Sequence, residues 1–223
     1  MDIIKTLSFS PFISFSKLNT SSIESDKFSY HLKKLIKEKL IAKSDKDKYS
    51  LTDKGKMYVS HMDTATKKIE QLPKSSVLII PIKQTNKSKK YLIHTRQKEP
   101  YYGYSGFITG KIRFGETVEE AAARELKEES GVTGLEYKHH FVIHEMVYNK
   151  SGKQLEDKFF NIVSFASTKG HLLSKTEEGK NQWITEEEFR KMHPLFHNEL
   201  DILGWYLAGR STFLEEKYYI EEY

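Results

Sequence analysis

The apolar positions of this chain follow two different periods. Phe28, Leu32, Leu35, Ile36 and Leu40 fall at i, +4, +7, +8 and +12, one face of a helix. They predict a helix over 26–41, with Ser25 or Asp26 placed to cap it. Two shorter apolar groups precede it, Ile3, Ile4 and Leu7, then Phe15 to Leu18. After it, Leu40–Ala42 and Tyr49–Thr52 flank the polar tip Ser44–Lys48 as a hairpin, and Thr52-Asp53-Lys54-Gly55 leads into a helix through about Gln71. Leu72-Pro73-Lys74-Ser75-Ser76 reads as a linker.

Beyond the linker the period shortens. Val77–Ile82 and Tyr91–Thr95 predict strands joined by the polar turn Thr85–Lys90, and Tyr137–Asn149 and Leu155–Thr168 a hairpin turning at Asn149-Lys150-Ser151-Gly152. Thr117–Ser130, rich in Ala, Glu, Leu and Lys, predicts a helix stopped by Gly131. Thr185 with Glu188 makes the capping box of a helix to about Met192, and Asn198–Ala208 reads as the last full helix. The acidic, aromatic tail Phe213–Tyr223 carries no pattern that assigns it an element.

The helix over 117–130 carries the chemistry. Glu125, Glu128 and Glu129, at i, +3 and +4, share one face, while Ala122, Ala123 and Leu126 offer an apolar flank. Three like charges on one face repel unless a cation sits among them, and Mg²⁺ suits such hard oxygen ligands.

These residues belong to a longer pattern. From Gly110 to Val132 the chain reads GKIRFGETVEEAAARELKEESGV, matching G-x5-E-x7-R-E-U-x-E-E-x-G-U, where U is aliphatic. The chain therefore resembles the Nudix hydrolases. The resemblance implies an α/β/α sandwich with a mixed sheet at 73–223 and hydrolysis of a nucleoside diphosphate linked to another group, NDP-X, with Mg²⁺ or Mn²⁺. It implies catalytic roles for Glu125, Glu128, Glu129, Arg124 and Glu116, with Arg124 pairing with Glu116 and Glu125 a candidate for activating water. Glu125, Glu128 and Glu129 would bind metal, joined by Glu178, with Glu177 as the alternative. Gly110 and Lys111 would lie at the substrate, with Gly110 and Gly115 letting the backbone approach the diphosphate. Arg96 suits a phosphate, and Tyr148, 16 residues beyond the motif, points towards dinucleoside polyphosphates. Tyr101, Tyr102 and Tyr104 are further candidates for stacking on a ring. The chain departs from the family at Ile108-Thr109-Gly110, where Pro-Gly-Gly is usual.

Charge separates the two regions. The chain carries a net +5, and residues 1–72 hold 14 Lys and no Arg against nine Asp and Glu, so the whole surplus lies there. The phrase SYHLKKLIKEKLIAKSDKDKYSLTDKGK resembles the recognition helix and wing of winged helix-turn-helix regulators, which implies such a domain at 1–72. Double-stranded DNA is then an expected partner, met by Tyr30, His31, Lys33, Lys34 and Lys37 on the helix and Lys46 and Lys48 on the wing. A homodimer is the expected arrangement if the domain reads sequence.

With 38% hydrophobic and 30% charged residues the chain is ordinary globular material, and it has no cysteine for disulfides or zinc-thiolate sites. No run approaches 18 apolar residues and the N-terminus lacks a signal-peptide layout, so a cytoplasmic protein with no membrane partner is expected. The nine histidines show no metal spacing. Two functional classes remain. One is an active hydrolase with a nucleotide-type substrate and an accessory winged helix. The other is a transcriptional regulator using a Nudix fold to sense a nucleotide such as ADP-ribose. The complete motif favours the first.

Overall fold

Phe28 and Leu32, one turn apart, are both almost fully buried, and they set the inward face of the helix that organises the N-terminal region. The computed structural model describes residues 2–10, 12–19, 24–44, 46–61, 71–85 and 88–221. Two compact units result, Met1–Gln71 and Leu72–Tyr223.

The first unit runs α1 (Asp2–Phe9), β1 (Ile13–Ser14), α2 (Phe15–Leu18), α3 (Ser25–Lys37), β2 (Ile41–Lys43), β3 (Lys48–Leu51) and α4 (Asp53–Ser60). Its strands form an antiparallel sheet in the order β1-β3-β2. Ile3, Ile4, Leu7, Leu18, Phe28, Leu32, Ile41 and Tyr49 build one core. Burying a side chain of this size contributes about 1.5–3 kcal/mol. Three sequence expectations change. The N-cap of α3 is Glu24, without a side-chain bond, and Ser25 and Asp26 lie inside the first turn. The helix ends at Lys37, because Lys39 adopts φ 58 and the Leu40 amide turns back to the Leu35 carbonyl at 3.0 Å, so Ile41 starts a strand. Thr52 caps α4 by accepting from the Gly55 amide at 3.1 Å, but α4 stops at Ser60, and positions 62–70 of the expected helix lie outside the described residues.

The second unit runs β4 (Lys74–Gln84), β5 (Lys89–Arg96), β6 (Ser105–Gly106), β7 (Ile108–Lys111), α5 (Val118–Ser130), β8 (Thr133–Asn149), β9 (Gln154–Lys169), β10 (Gly179–Thr185), α6 (Glu186–Arg190), α7 (Glu199–Leu207) and β11 (Leu214–Ile220). Eight strands make one mixed sheet in the order β10-β5-β4-β9-β8-β11, with β6 on β5 and β7 on β4. The expected linker shortens, since Lys74–Ser76 already lie in β4. The unassigned tail becomes β11, parallel to β8 from Leu214 opposite Ile143 to Ile220 opposite Asn149.

Alternate residues of β4 face opposite ways. Leu78, Ile80 and Ile82 join Ile202 and Leu203 of α7 and Phe189 of α6 in one core. Val77 and Ile79 join Ala121, Ala122 and Leu126 of α5 in the other. The result is an α/β/α sandwich. β5 and β7 share one edge of β4, β7 facing Ser76–Ile79 and β5 facing Ile82–Gln84, and this division leaves a cleft at the β7 end, beside α5. Among the described residues no helix is long and apolar enough to cross a membrane.

Candidate functional site

Local sequence fixes α5 at both ends. Thr117 accepts from the Glu120 amide at 3.2 Å while the Glu120 carboxylate takes the Thr117 N–H at 2.8 Å, a reciprocal capping box. Gly131 closes the helix at φ 76, a left-handed conformation that costs glycine little. Ala121, Ala122 and Leu126 are fully buried against the sheet, whereas Ala123 is exposed, so the apolar flank is one residue out of phase with expectation. That phase turns Arg124, Glu125, Glu128 and Glu129 to the other side. Gly110 of β7 makes room for them: a β-carbon there would fall onto the Glu125 carboxyl end. Its role is thus clearance for Glu125.

Arg124 is the hub of this face. Its Nε donates to Glu116 Oε1 at 2.6 Å and its Nη2 to Glu116 Oε2 at 2.8 Å, a two-pronged pair. Nη1 donates to Glu125 at 2.6 Å and Glu128 at 3.2 Å, and Nη2 also to the Lys111 carbonyl at 3.0 Å. These bonds, with the Arg113 amide donating to Glu116 at 2.9 Å, hold the Glu116 carboxyl down to about 2. Arg113 also reaches Glu128 at 3.4 Å.

Glu129 is different. Its side chain is 15% exposed, and burial first, then the neighbouring Glu125 and Glu178 charges, push its carboxyl up to about 8. Beneath it lie two residues that no sequence pattern pointed to. Asn181 Nδ2 donates to the Glu129 carbonyl at 2.7 Å and to the Leu173 carbonyl at 2.9 Å, and Asn181 Oδ1 lies 2.9 Å from His94 Nδ1. This buried pair ties the end of α5 to the segment before β10. Burial also lowers the His94 pKa.

The carboxylates open onto a cleft of about 1030 Å³, lined also by Arg96, Gly110, Lys111, Arg113, Glu177 and Glu178. Leu78, Phe160 and the buried Glu145 and Glu199 line it too. Glu178 is paired with Lys98 at 3.2 Å. Arg96, at the cleft wall, is also bonded to the following loop: its Nε donates to the Lys98 and Pro100 carbonyls, each at 2.8 Å, and Nη2 to the Glu99 carbonyl at 3.3 Å. It therefore shapes the 97–104 loop from the cleft wall. Tyr148 does not line the cleft; it lies towards the hairpin end of β8, its ring stacked on Tyr219 with centroids 5.6 Å apart. Tyr101 lines the cleft, and Tyr102 is exposed.

Among the described residues no three His, Cys, Asp or Glu side chains converge as a ready-made metal set. Arg124 draws Glu125 and Glu128 to itself. The donor chemistry fits a hard cation, since Glu125, Glu128, Glu129 and Glu178 supply carboxylate oxygens, and the ring that meets Glu129, His94 Nδ1 at 3.8 Å, has its pKa lowered by burial.

In the N-terminal unit, Tyr30, His31, Lys33, Lys34 and Lys37 are exposed on α3, and Lys46 and Lys48 are exposed at the β2–β3 hairpin.

The NUDIX domain family matches residues 72–205. Solved structures share the fold. The mutator MutT protein of Bacillus halodurans is 18% identical with a TM-score of 0.53, covering 66% of this chain and 90% of its own. The NUDIX domain of Shewanella oneidensis NrtR, solved with ADP ribose, is 16% identical with a TM-score of 0.50, covering 71% and 98%. A MutT NUDIX hydrolase from Burkholderia pseudomallei is 18% identical with a TM-score of 0.50, covering 60% and 98%. No curated protein matches the chain by sequence.

Proposed function

Since the chain belongs to the NUDIX domain family, we propose that it is a metal-dependent hydrolase cleaving NDP-X compounds by attack of water on phosphorus. The observation that carries this reading is the complete acidic face of α5, with Glu125, Glu128 and Glu129 lining a cleft of about 1030 Å³. Glu125, Glu128, Glu129 and Glu178 would hold Mg²⁺ or Mn²⁺. Such an ion, when bound, supplies Lewis-acid stabilisation of the diphosphate and a template for it.

The chain's own residues do the rest. Gly110 clears the space in which the Glu125 carboxylate sits, and Arg124 fixes that carboxylate at 2.6 Å while its opposite prongs anchor on Glu116. Glu125 is thereby positioned to orient the attacking water and accept its proton. Lys111 and Arg113, at the cleft wall, are placed to meet phosphate oxygens. The Asn181 amide holds the last turn of α5, so that Glu129 keeps its place in the cleft wall. The test is a hydrolysis screen with Mg²⁺ over nucleoside triphosphates, ADP-ribose, nucleotide sugars, dinucleotides and capped RNA.

We further propose that residues 1–72 are a winged helix-turn-helix domain that binds double-stranded DNA as a homodimer in the cytoplasm, and that 73–223 are the hydrolase domain. The order α1, α2, α3, the β2–β3 hairpin and α4 supports it, as do the exposed lysines. Lysine contacts to phosphate release counterions, so log K should fall with log salt by about 0.9 per phosphate neutralised. Lys33→Ala with Lys37→Ala should flatten that slope in a gel-shift titration of the whole protein against its own promoter region. Binding indifferent to these changes would leave a docking or dimerisation role. The ADP ribose in the NrtR domain supports the alternative of a nucleotide-sensing regulator; the intact carboxylate set favours the hydrolase.

A further inference from the structure

Tyr101 holds φ at 69, a left-handed conformation that bulky residues avoid. Its surroundings enforce it. The Arg96 side chain binds the carbonyls of Lys98 and Pro100 at 2.8 Å each, and the loop closes with Gly103 N–H to Arg96 O and Arg96 N–H to Tyr104 O, both 2.8 Å. The ring meets Tyr104 at 5.6 Å and Phe196 at 5.5 Å, both near edge-on, and Tyr104 meets Phe196 at 5.8 Å. Strain kept in place by so many contacts points to a use for the side chain.

Two cavities share that side chain. Tyr101 and His197 line the large cleft and also a neighbouring concavity of about 430 Å³, completed by Tyr104, Leu195, Tyr219, Ile220 and Glu221. Tyr219 and Ile220 stand on β11, beyond the residues 72–205 matched by the family. β11 also sets His197, whose ring lies 4.6 Å from that of Tyr218. A concave surface with several aromatic rings, next to a polar cleft, is suited to a flat heterocycle attached to a charged group.

We infer that this aromatic concavity, walled by Tyr101 and Tyr219, seats the nucleobase of an NDP-X ligand, with β11 as the strand that completes it. Ring stacking recognises any π-face, so all bases enter and purines, with the larger face, bind more tightly. The inference takes the diphosphate position from the hydrolase reading above.

Calorimetry with ADP, GDP and UDP against methylenediphosphonate, all with Mg²⁺, separates base from diphosphate without turnover. Tyr219 is 68% exposed, so Tyr219→Ala leaves the fold intact. Tyr101→Asn keeps a residue that tolerates φ above zero. Each change should weaken ADP and GDP at least about tenfold and leave methylenediphosphonate within about twofold. Equal losses for both ligand types, or none, would overturn the inference. A protein that binds ADP through these rings yet hydrolyses nothing would keep the inference and remove the proposed activity. Hydrolysis of NDP-X with nucleotide binding unchanged in both variants would do the reverse.

Discussion

A β-carbon on Gly110 would coincide with the carboxyl end of Glu125, so one strand residue and one helix side chain occupy what is nearly a single volume. Gly110 sits in β7 opposite Val77 of β4, so the strand is held in place, and the obstructed group is the flexible end of a side chain. Gly110→Ala should therefore displace Glu125 at a stability cost of about 1 kcal/mol or less. Turnover should fall at least about a hundredfold, given how steeply rates respond to misplaced groups. Thermal melting beside kcat measures both, and a variant of normal rate would detach Glu125 from the chemistry.

Arg124 spends its fork on Glu116 and its remaining prong on Glu125 and Glu128. A lysine carries the charge but reaches as a single point. Arg124→Lys should lower kcat at least about tenfold and raise the Mg²⁺ concentration for half activation, because Glu116 and Glu125 are no longer held together. Metal titrations of the rate read this directly; unchanged kcat and unchanged half activation would reduce the network to decoration.

Much of α5 is legible in the sequence, because caps, helix formers and the carboxylate spacing act locally. Thr117, Gly131 and the glutamates need no distant partner to be placed. What the sequence left open depends on distant partners. The phase of the helix against the sheet decides that Ala121 rather than Ala123 is buried, and that is set by Val77 and Ile79, more than forty positions earlier. Asn181 is an unremarked polar residue in a strand until its amide is seen on the Glu129 carbonyl, and His94 meets it across two paired strands. The tail gained an element only through a parallel partner, β8, some seventy residues away. Nor does the local sequence of Arg96 show that its guanidinium, at the cleft wall, also bonds three carbonyls of the next loop.

Glu199 supplies a pH signature. It is 2% exposed, accepts one bond from the Phe107 amide at 3.0 Å, and burial first, then Glu145, pushes its carboxyl up to about 8 from 4.5. A raised carboxyl pKa means the folded state keeps a proton that the unfolded state releases. Its stabilising effect is therefore complete below about pH 4.5 and is lost as pH rises towards about 8. Glu199→Gln retains an oxygen for the Phe107 N–H and removes the titration. The variant should gain stability relative to the native protein between these limits, on the order of a few kcal/mol by pH 8. Melting curves of both proteins across the window test this; parallel curves would mean that Glu199 is ionised in the fold.

The most direct test of the central claim is kcat for the best substrate of the screen, measured with Mg²⁺, with EDTA, and in the Glu128→Gln and Glu129→Gln variants. The account predicts that EDTA abolishes turnover and that each substitution lowers kcat at least about a hundredfold while melting stays near that of the native chain. Full activity in either variant, or turnover indifferent to EDTA, would contradict a metal-assisted hydrolase built on the acidic face of α5.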